Sequence, residues 1–361
     1  MNELAQSSGF SGHNVEGGFD VDRVRQDFPI LGRQVHGKPL VYFDSGASAQ
    51  KPRAVIDAMT EVLEAQYTNV HRGAHYLSQT LTDRYEGVRE KIAAFLNAPS
   101  ENEIVITRNT TEAINLVAAT YGRKFLNKGD GVLISDMEHH ANIVPWQLLR
   151  DEIGIELKVA PIDDRGVLDM DAYAALLDGN TKLVAMTHCS NVLGTMLPGK
   201  EIVRLAHERG IPVLLDGSQA VVHSAVDVQD LNADFYVFTG HKLYGPTAIG
   251  VLYGKADLLA QMPPYQGGGD MIATVTYEKT TYQEPPYRFE AGTPPIVEAI
   301  GLGAAIDYVS AIGMDAIAAH EKALLAYATE RLTAMPDIRL FGSAPEKAAI
   351  FSFIQEGIRP F

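Results

Sequence analysis

From about residue 100 the chain alternates short β-branched runs with longer stretches of helical periodicity, and nothing else in it restricts the fold as much. The runs are EIVIT, GVLIS, IELKVA, KLVAMTH and IPVLLD, and between them lie TEAINLVAATYG, ANIVPWQLLRDEIG, LDMDAYAALLD and EIVRLAHERG. A strand, a helix and a second strand in that rhythm are the units of a parallel sheet covered by helices, so the fold class is α/β. FYVFTG and IGVLYGK follow with no helix of usable length between them, which predicts a mixed, mostly parallel sheet. After RFEAGTPP the pattern turns to long Ala-rich helices, from about Ile296 to Leu332, and then to the short runs IRLF and AIFSFI. The Pro294-Pro295 break is therefore the expected domain boundary, in a chain of 361 residues that has length for two domains.

Charge narrows the partners. Thirty Lys plus Arg stand against 45 Asp plus Glu, a net charge of −15 that repels phosphate backbones and anionic lipid, so neither nucleic acid nor a membrane surface is the expected partner. The single cysteine, Cys189, supports neither an internal disulfide nor a multi-thiolate zinc site, in keeping with a reducing, cytoplasmic setting. The opening MNELAQSSGFSGHNVEGG has no basic start and no apolar run; it is neither signal peptide nor anchor and is expected to be a mobile tail. No run of about 18 apolar residues follows it.

In an open α/β sheet ligands sit beyond the carboxyl ends of the strands, so the loops after each run are the places to seek chemistry. In ITRNTTEA, Asn109 and Glu112 have capping-box spacing, which starts a helix at Thr110 and turns the amides and hydroxyls of Thr110 and Thr111 outward. Such an end binds anions, although the same letters also describe an ordinary capped helix. In MEHHANIVPW, His139 and His140 follow a strand, which offers an acid/base group or a stacking ring; a metal is the weaker reading, because adjacent histidines diverge and no third ligand has the right spacing. In HCSNVLGT, Asn191 can bond a ligand or simply make a turn. In VLLDGSQA an apolar strand delivers Asp216 to its end, where a carboxylate needs a partner, and Gln219 follows three residues on. In VFTGHKLYGP, Lys242 stands at the edge of an apolar sheet, where lost hydration lowers an ammonium pKa and frees the amine for imine chemistry. RFEAGT adds Gly292 and Thr293. Most lysines are solvated surface groups. The combination is what points further: a strand-end Asp, a later strand-end Lys, an earlier ring and an anion cup are the parts that hold pyridoxal 5'-phosphate.

The segments YFDSGASAQKP, NVHRGAHYLS, TRNTTEAINLVA, MEHHANIVPWQ, SNVLGT, DGSQA, TGHKLYGPTAIGVLYG, GGGDMI and RFEAGTP, in this order, resemble those of the group II (SufS-type) cysteine desulfurases of the class V aminotransferase family. The resemblance runs from about Phe28 to the last residue. It implies a fold type I pyridoxal-phosphate enzyme and a homodimer, with a large domain on a mostly parallel seven-stranded sheet flanked by helices and a smaller α+β domain from both chain ends. The division is then a tail at 1–19, a small-domain segment at 20–40, the cofactor domain at 41–293 and a small-domain part at 294–361. By position, Lys242 is the lysine bonded to the cofactor aldehyde, Asp216 the partner of its pyridinium nitrogen and His139 the stacking ring. Thr111, Thr239 and His241 hold the phosphate, with Thr110 beside them, and Gln219 meets the ring hydroxyl. Asn191 contacts the side of the substrate carboxylate, Thr293 reaches the phosphate of the neighbouring subunit, and His71 and Arg72 line the substrate pocket.

The implied reaction converts L-cysteine to L-alanine. Lys242 moves the α-proton, a protein thiolate takes the sulfur as a persulfide, and the sulfur passes to an acceptor protein of the SUF system for iron–sulfur cluster assembly. Family members continue past the position of Phe361, and the further stretch holds the nucleophilic cysteine on a mobile loop and the arginine that pairs with the substrate carboxylate. IQEGIRPF stops on an apolar Pro-Phe without a cap, so the sequence is expected to be truncated or partial. Cys189, where the family has a small apolar residue, does not inherit the nucleophile's role. L-Selenocysteine is an alternative substrate, a class V aminotransferase shares the cofactor site, and a cofactor-free scaffold predicts no visible absorbance.

Overall fold

Seven strands pair into one sheet in the computed structural model, which describes residues 19–359. We label them β1 (Ile104–Thr107), β2 (Gly131–Ser135), β3 (Glu156–Ala160), β4 (Thr181–Thr187), β5 (Val213–Asp216), β6 (Phe235–Thr239) and β7 (Gly250–Gly254). Their order across the sheet is β1-β7-β6-β5-β4-β2-β3. The pairs from β6 to β3 are parallel, whereas β7 runs antiparallel to both β6 and β1. The missing helix between FYVFTG and IGVLYGK has the predicted consequence, since a short connection brings the chain back only antiparallel. Because β7 reverses and β1 reverses again, β1, β2, β4, β5 and β6 all end on the same edge of the sheet. The expected tail at 1–19 lies, apart from Phe19, outside the described residues.

Both faces of the sheet are buried except at the edge strand β3, where Glu156 and Val159 are exposed, and alternation within the inner strands divides their residues between two cores. Val132, Ile134, Leu183, Leu214, Phe235, Val237 and Leu252 pack on one side with Trp146. Leu133, Val184, Met186, Val213, Leu215, Tyr236, Phe238 and Val251 pack on the other. This explains why the runs read as unbroken apolar stretches rather than as alternating ones. On the flanks lie α1 (Tyr76–Phe95), α2 (Thr110–Val117), α3 (Val144–Ile153), α4 (Gly199–His207), α5 (Ile296–Ile312) and α6 (Met314–Thr333). The long helix α1 lies before the region whose periodicity was legible and was not anticipated. Leu81, Tyr85, Val88 and Ile92 give it a buried stripe at spacings of three and four.

The long helices expected from about Ile296 to Leu332 are two, α5 and α6, bent by 74° to each other. Gly313, at φ 95°, parts them while its N–H still bonds Val309 O at 2.9 Å. Helix α5 is buried over most of its length within the core that also holds Leu215 and Tyr236. Among the described residues no single helix is long and apolar enough to cross a membrane, and no cluster of His, Cys, Asp and Glu suits a metal ion. The run AIFSFI forms a strand only at Ser352–Gln355, paired with Ile338–Phe341. This part of the chain also holds a site loop: Ala348 N, just before the run, bonds Gly194 O at 2.9 Å, and Ser352 Oγ, at the start of the strand, bonds Val192 O at 2.6 Å, pinning the loop that carries Asn191.

Candidate active site

The strand ends that share one edge open onto a cavity of about 310 Å³. Thr110, Thr111, His139, Asn191, Asp216, Gln219, Thr239, His241 and Lys242 all line it. His71 and Arg72 do not; they line a second hollow with Asp270 and Glu290, where Arg72 pairs with Asp270. Thr293 is exposed and borders a third, beside Arg108 and Glu112.

Asp216 is the last residue of β5 and is buried, with Oδ1 accepting from Ser218 N at 2.9 Å and from Ser218 Oγ at 2.6 Å. Among the described residues no donor reaches Oδ2, which leaves one carboxylate oxygen for a ligand donor. Behind it the packing is tight: a Cβ on Gly217 would stand 2.2 Å from Tyr236 Oη, so only glycine fits the turn that delivers the carboxylate. Ser218 Oγ also meets Thr110 Oγ at 2.8 Å, so the Thr110 hydroxyl is committed and Thr111, exposed at the helix start, is the freer of the two.

The start of α2 follows the predicted cap, with Asn109 Oδ1 accepting from Glu112 N at 2.8 Å. The reciprocal half differs. Glu112 Oε2 takes Arg108 N at 2.6 Å rather than the cap residue's own amide, because Arg108 also holds the carboxylate through its guanidinium. The cap leaves α2's first amides and its positive dipole end toward the cavity. Gly250 on β7 permits the approach, since a Cβ there would lie 2.5 Å from the Asn109 backbone.

Lys242 is half-buried, and among the described residues its Nζ has neither a hydrogen bond nor an ion pair. Burial lowers its pKa, while the Asp216 carboxylate pulls the other way. His139 is lowered as well, by burial and then by the Lys242 charge. Its Nδ1 accepts from Ala141 N at 3.1 Å, so the proton of the neutral ring sits on Nε2. The neighbouring rings of His139 and His140 lie 5.8 Å apart, tilted at 49° to each other. His241 is lowered by burial, Lys242 and Lys51, and its Nδ1 meets Ser48 Oγ at 3.2 Å. Thr239 is buried at the end of β6. Gln219 donates from Nε2 to Gly46 O at 2.7 Å.

Three contributors were not found from spacing. Ser218 orients Asp216. Lys51 donates to Ala49 O at 2.6 Å and to His241 O at 3.0 Å, stitching residues 46–51 to the turn before Lys242, and burial lowers its pKa to about 8. Glu138 lies directly before His139, and only that adjacency marks it in the sequence. Cys189 also borders the cavity, yet it is 1% exposed and burial pushes its thiol up to about 12.

The chain belongs to the class-V aminotransferase family, whose model matches residues 41–360. Within that family its relatives are cysteine desulfurases. The Dickeya dadantii cysteine desulfurase is 56% identical over 333 residues, covering 92% of this chain and 81% of the relative. The Synechococcus elongatus cysteine desulfurase is 54% identical over 343 residues, covering 95% of this chain, which spans only 55% of that relative's length. The crystal structure of the Escherichia coli cysteine desulfurase CsdA superposes with a TM-score of 0.86 at 38% identity, over 95% of this chain and 84% of that one. The fold is thus the type I fold of pyridoxal-phosphate enzymes, as the resemblance to the desulfurases implied.

Proposed function

We propose that this chain is the pyridoxal-phosphate-binding part of a cysteine desulfurase that removes sulfur from L-cysteine and leaves L-alanine. One observation carries this: a half-buried Lys242 amine that has no partner among the described residues shares a 310 Å³ cavity with a buried carboxylate whose Oδ2 has no donor among them. An amine and a carboxylate left open in that way are complementary to an aldehyde and a protonated ring nitrogen, and the start of α2 is complementary to a phosphate. The residues fit the cofactor.

Lys242 would bond its aldehyde, Asp216 its ring nitrogen and Gln219 its ring hydroxyl, while Thr111, Thr239 and His241 with the α2 amides would hold the phosphate. Thr110, bonded to Ser218, acts beside them. The cofactor supplies an electron sink for the bond to the substrate's α-hydrogen. The chain's residues do the rest. Burial holds Lys242 toward the free amine, so Nζ can accept a proton from the substrate carbon and return it. Asp216, kept in place by Ser218, supplies the negative charge that holds a ring nitrogen protonated. His139 offers its ring and a single Nε2 proton, and Asn191, on a loop pinned by residues 346–352, offers an amide to the substrate carboxylate.

The sulfur acceptor is a different group from Cys189, the only thiol in these 361 residues, whose burial keeps it protonated. A thiolate from outside these residues takes the sulfur and passes it to a SUF-type acceptor for iron–sulfur cluster assembly in the cytoplasm. The working unit is a homodimer: Thr293, His71 and Arg72 lie away from the cavity of their own chain, and exposed Phe43, Tyr67 and Tyr76 offer apolar contact area. In that unit Thr293 serves the neighbouring subunit's phosphate, and His71 and Arg72 line a substrate pocket. The division into a tail, a cofactor domain at 41–293 and a small domain from 20–40 and 294–361 is part of the same proposal.

The test is the visible spectrum of the protein reconstituted with pyridoxal phosphate, followed by borohydride reduction and peptide mapping. A reduced adduct on Lys242 is the expected result. A label on another lysine, or none, refutes the assignment.

A further inference from the structure

His139 is aimed by a short turn, and the turn has an unusual foundation. Glu138 Oε1 accepts from Ser135 Oγ at 2.6 Å, from Thr187 N at 2.9 Å and from Ser135 N at 3.4 Å, while Oε2 accepts from Asn142 Nδ2 at 2.7 Å. One carboxylate therefore ties together the end of β2, the end of β4 and the 3-10 turn His140–Asn142. Asn142, itself buried, passes the hold onward: its Nδ2 also donates to Ala185 O at 3.0 Å, and its Oδ1 accepts from Trp146 Nε1 at 3.0 Å. Every donor to Glu138 is neutral. Among the described residues no cation pairs with it, and the charged group that acts on it from β5 is another carboxylate, Asp216.

A carboxylate without a countercharge, beside a second carboxylate, is a costly way to brace a turn. Its oxygens nevertheless supply what a neutral amide cannot, because all four contacts need acceptors. We propose that Glu138 is the positioning residue for His139: as a carboxylate it locks the turn that aims the ring into the cavity, and its protonation releases the Asn142 corner. The inference rests on the proposed role of His139 over the cofactor.

The direction of the effect follows from the hydrogen-bond inventory. Oε1 already serves three donors, so an added proton goes to Oε2, where O–H then faces Asn142 N–H, donor against donor. Burial raises the Glu138 pKa to about 7, with Asp216 adding to the rise, which puts the release within the neutral range. The other titratable groups nearby are the exposed Asp136 between β2 and the turn, His139 and His140 on the turn, and Lys242 after β6, which acts on His139; the contacts from β4 and α3 are neutral.

Amide hydrogen exchange of the 361-residue chain without cofactor, between pH 5.5 and 8.5 and corrected for intrinsic rates, reads the turn directly. In the wild type, protection of the 136–143 segment should fall about three- to tenfold as pH drops through neutrality, the worth of one hydrogen bond. Glu138→Gln, isosteric but presenting a donor to Asn142, should show the low protection at every pH. Asn142→Ala, with Glu138 intact, should likewise lose the pH step, so the outcome does not depend on one variant folding. Wild-type protection and pH profile in Glu138→Gln, or a pH step that survives in both variants, overturns the proposal. Added pyridoxal phosphate that left wild-type exchange at 136–143 unchanged would instead count against His139 as the ring over the cofactor.

Discussion

Replacing or labelling Cys189 separates a buried structural thiol from a sulfur-accepting one. Its Sγ is 3.5 Å from Gly194 O, a weak donor contact, and the side chain is 1% exposed. Burial is the main cause of its raised pKa; Glu321 and Asp216 add to the rise, and Lys347 and Lys242 oppose it without cancelling it. The rise from 9.0 to about 12 lowers the thiolate fraction at pH 8 by about a thousandfold relative to an unfolded thiol, since each pKa unit is a factor of ten. Alkylation by iodoacetamide should therefore be slower in the native chain than in the urea-unfolded chain by about 10³-fold or more, because reagent access adds to the deficit of thiolate. The sign is that of a buried acid: protection is complete below the unfolded pKa, and the rate rises about tenfold per pH unit as pH approaches the folded value. Cys189→Ala should cost only about 1 to 2 kcal/mol in urea unfolding, for a small buried side chain. Native labelling within tenfold of the unfolded rate would refute this, as would a persulfide found on Cys189 by mass spectrometry after incubation with pyridoxal phosphate and cysteine.

Two further outcomes are expected. Arg89, 1% exposed, bonds Glu290 at 2.7 and 3.0 Å and caps Ile104 O at 2.8 Å on the sheet's edge strand, so Arg89→Met leaves a carboxylate that is only 8% exposed without its countercharge and with Ile106 N as its one remaining donor among the described residues. It should cost about 3 to 5 kcal/mol in urea unfolding, and a loss under about 1 kcal/mol would show that Glu290 finds another partner. Asp216→Ala should still form the borohydride-fixed adduct on Lys242 but lose exchange of the substrate α-proton by a factor of at least about 10², measured by NMR in deuterated buffer. Unchanged exchange would make the carboxylate structural.

The sheet and much of the site were legible in the sequence because each depends on local order. A buried parallel strand must be apolar throughout, so the runs announced themselves, and a missing helix between two of them announced the antiparallel reversal. Asp216 and Lys242 could be placed in one site because a strand end fixes where the next residue must be. The cap at Asn109 is likewise a matter of residues three apart. Helix α1 and the break at Gly313 belong to another level: the first needs the core's position to reveal its buried stripe, and the second depends on where two helices must part.

What only the tertiary structure decided is which groups are already spent and which are free. No spacing says that Ser218 occupies both Asp216 Oδ1 and the Thr110 hydroxyl, that Lys51 fastens the segment at 46–51 to the His241 carbonyl, or that Thr293, His71 and Arg72 lie outside their own chain's cavity. Nor does the sequence separate Glu138 from any acidic residue beside a histidine, since its donors come from three segments as far apart as Ser135 and Thr187. Hydrogen-bond partners and desolvation are properties of neighbours in space. The chain dictates which side chains reach the edge of the sheet, and the packing around them dictates their charge, their partners and their availability for chemistry.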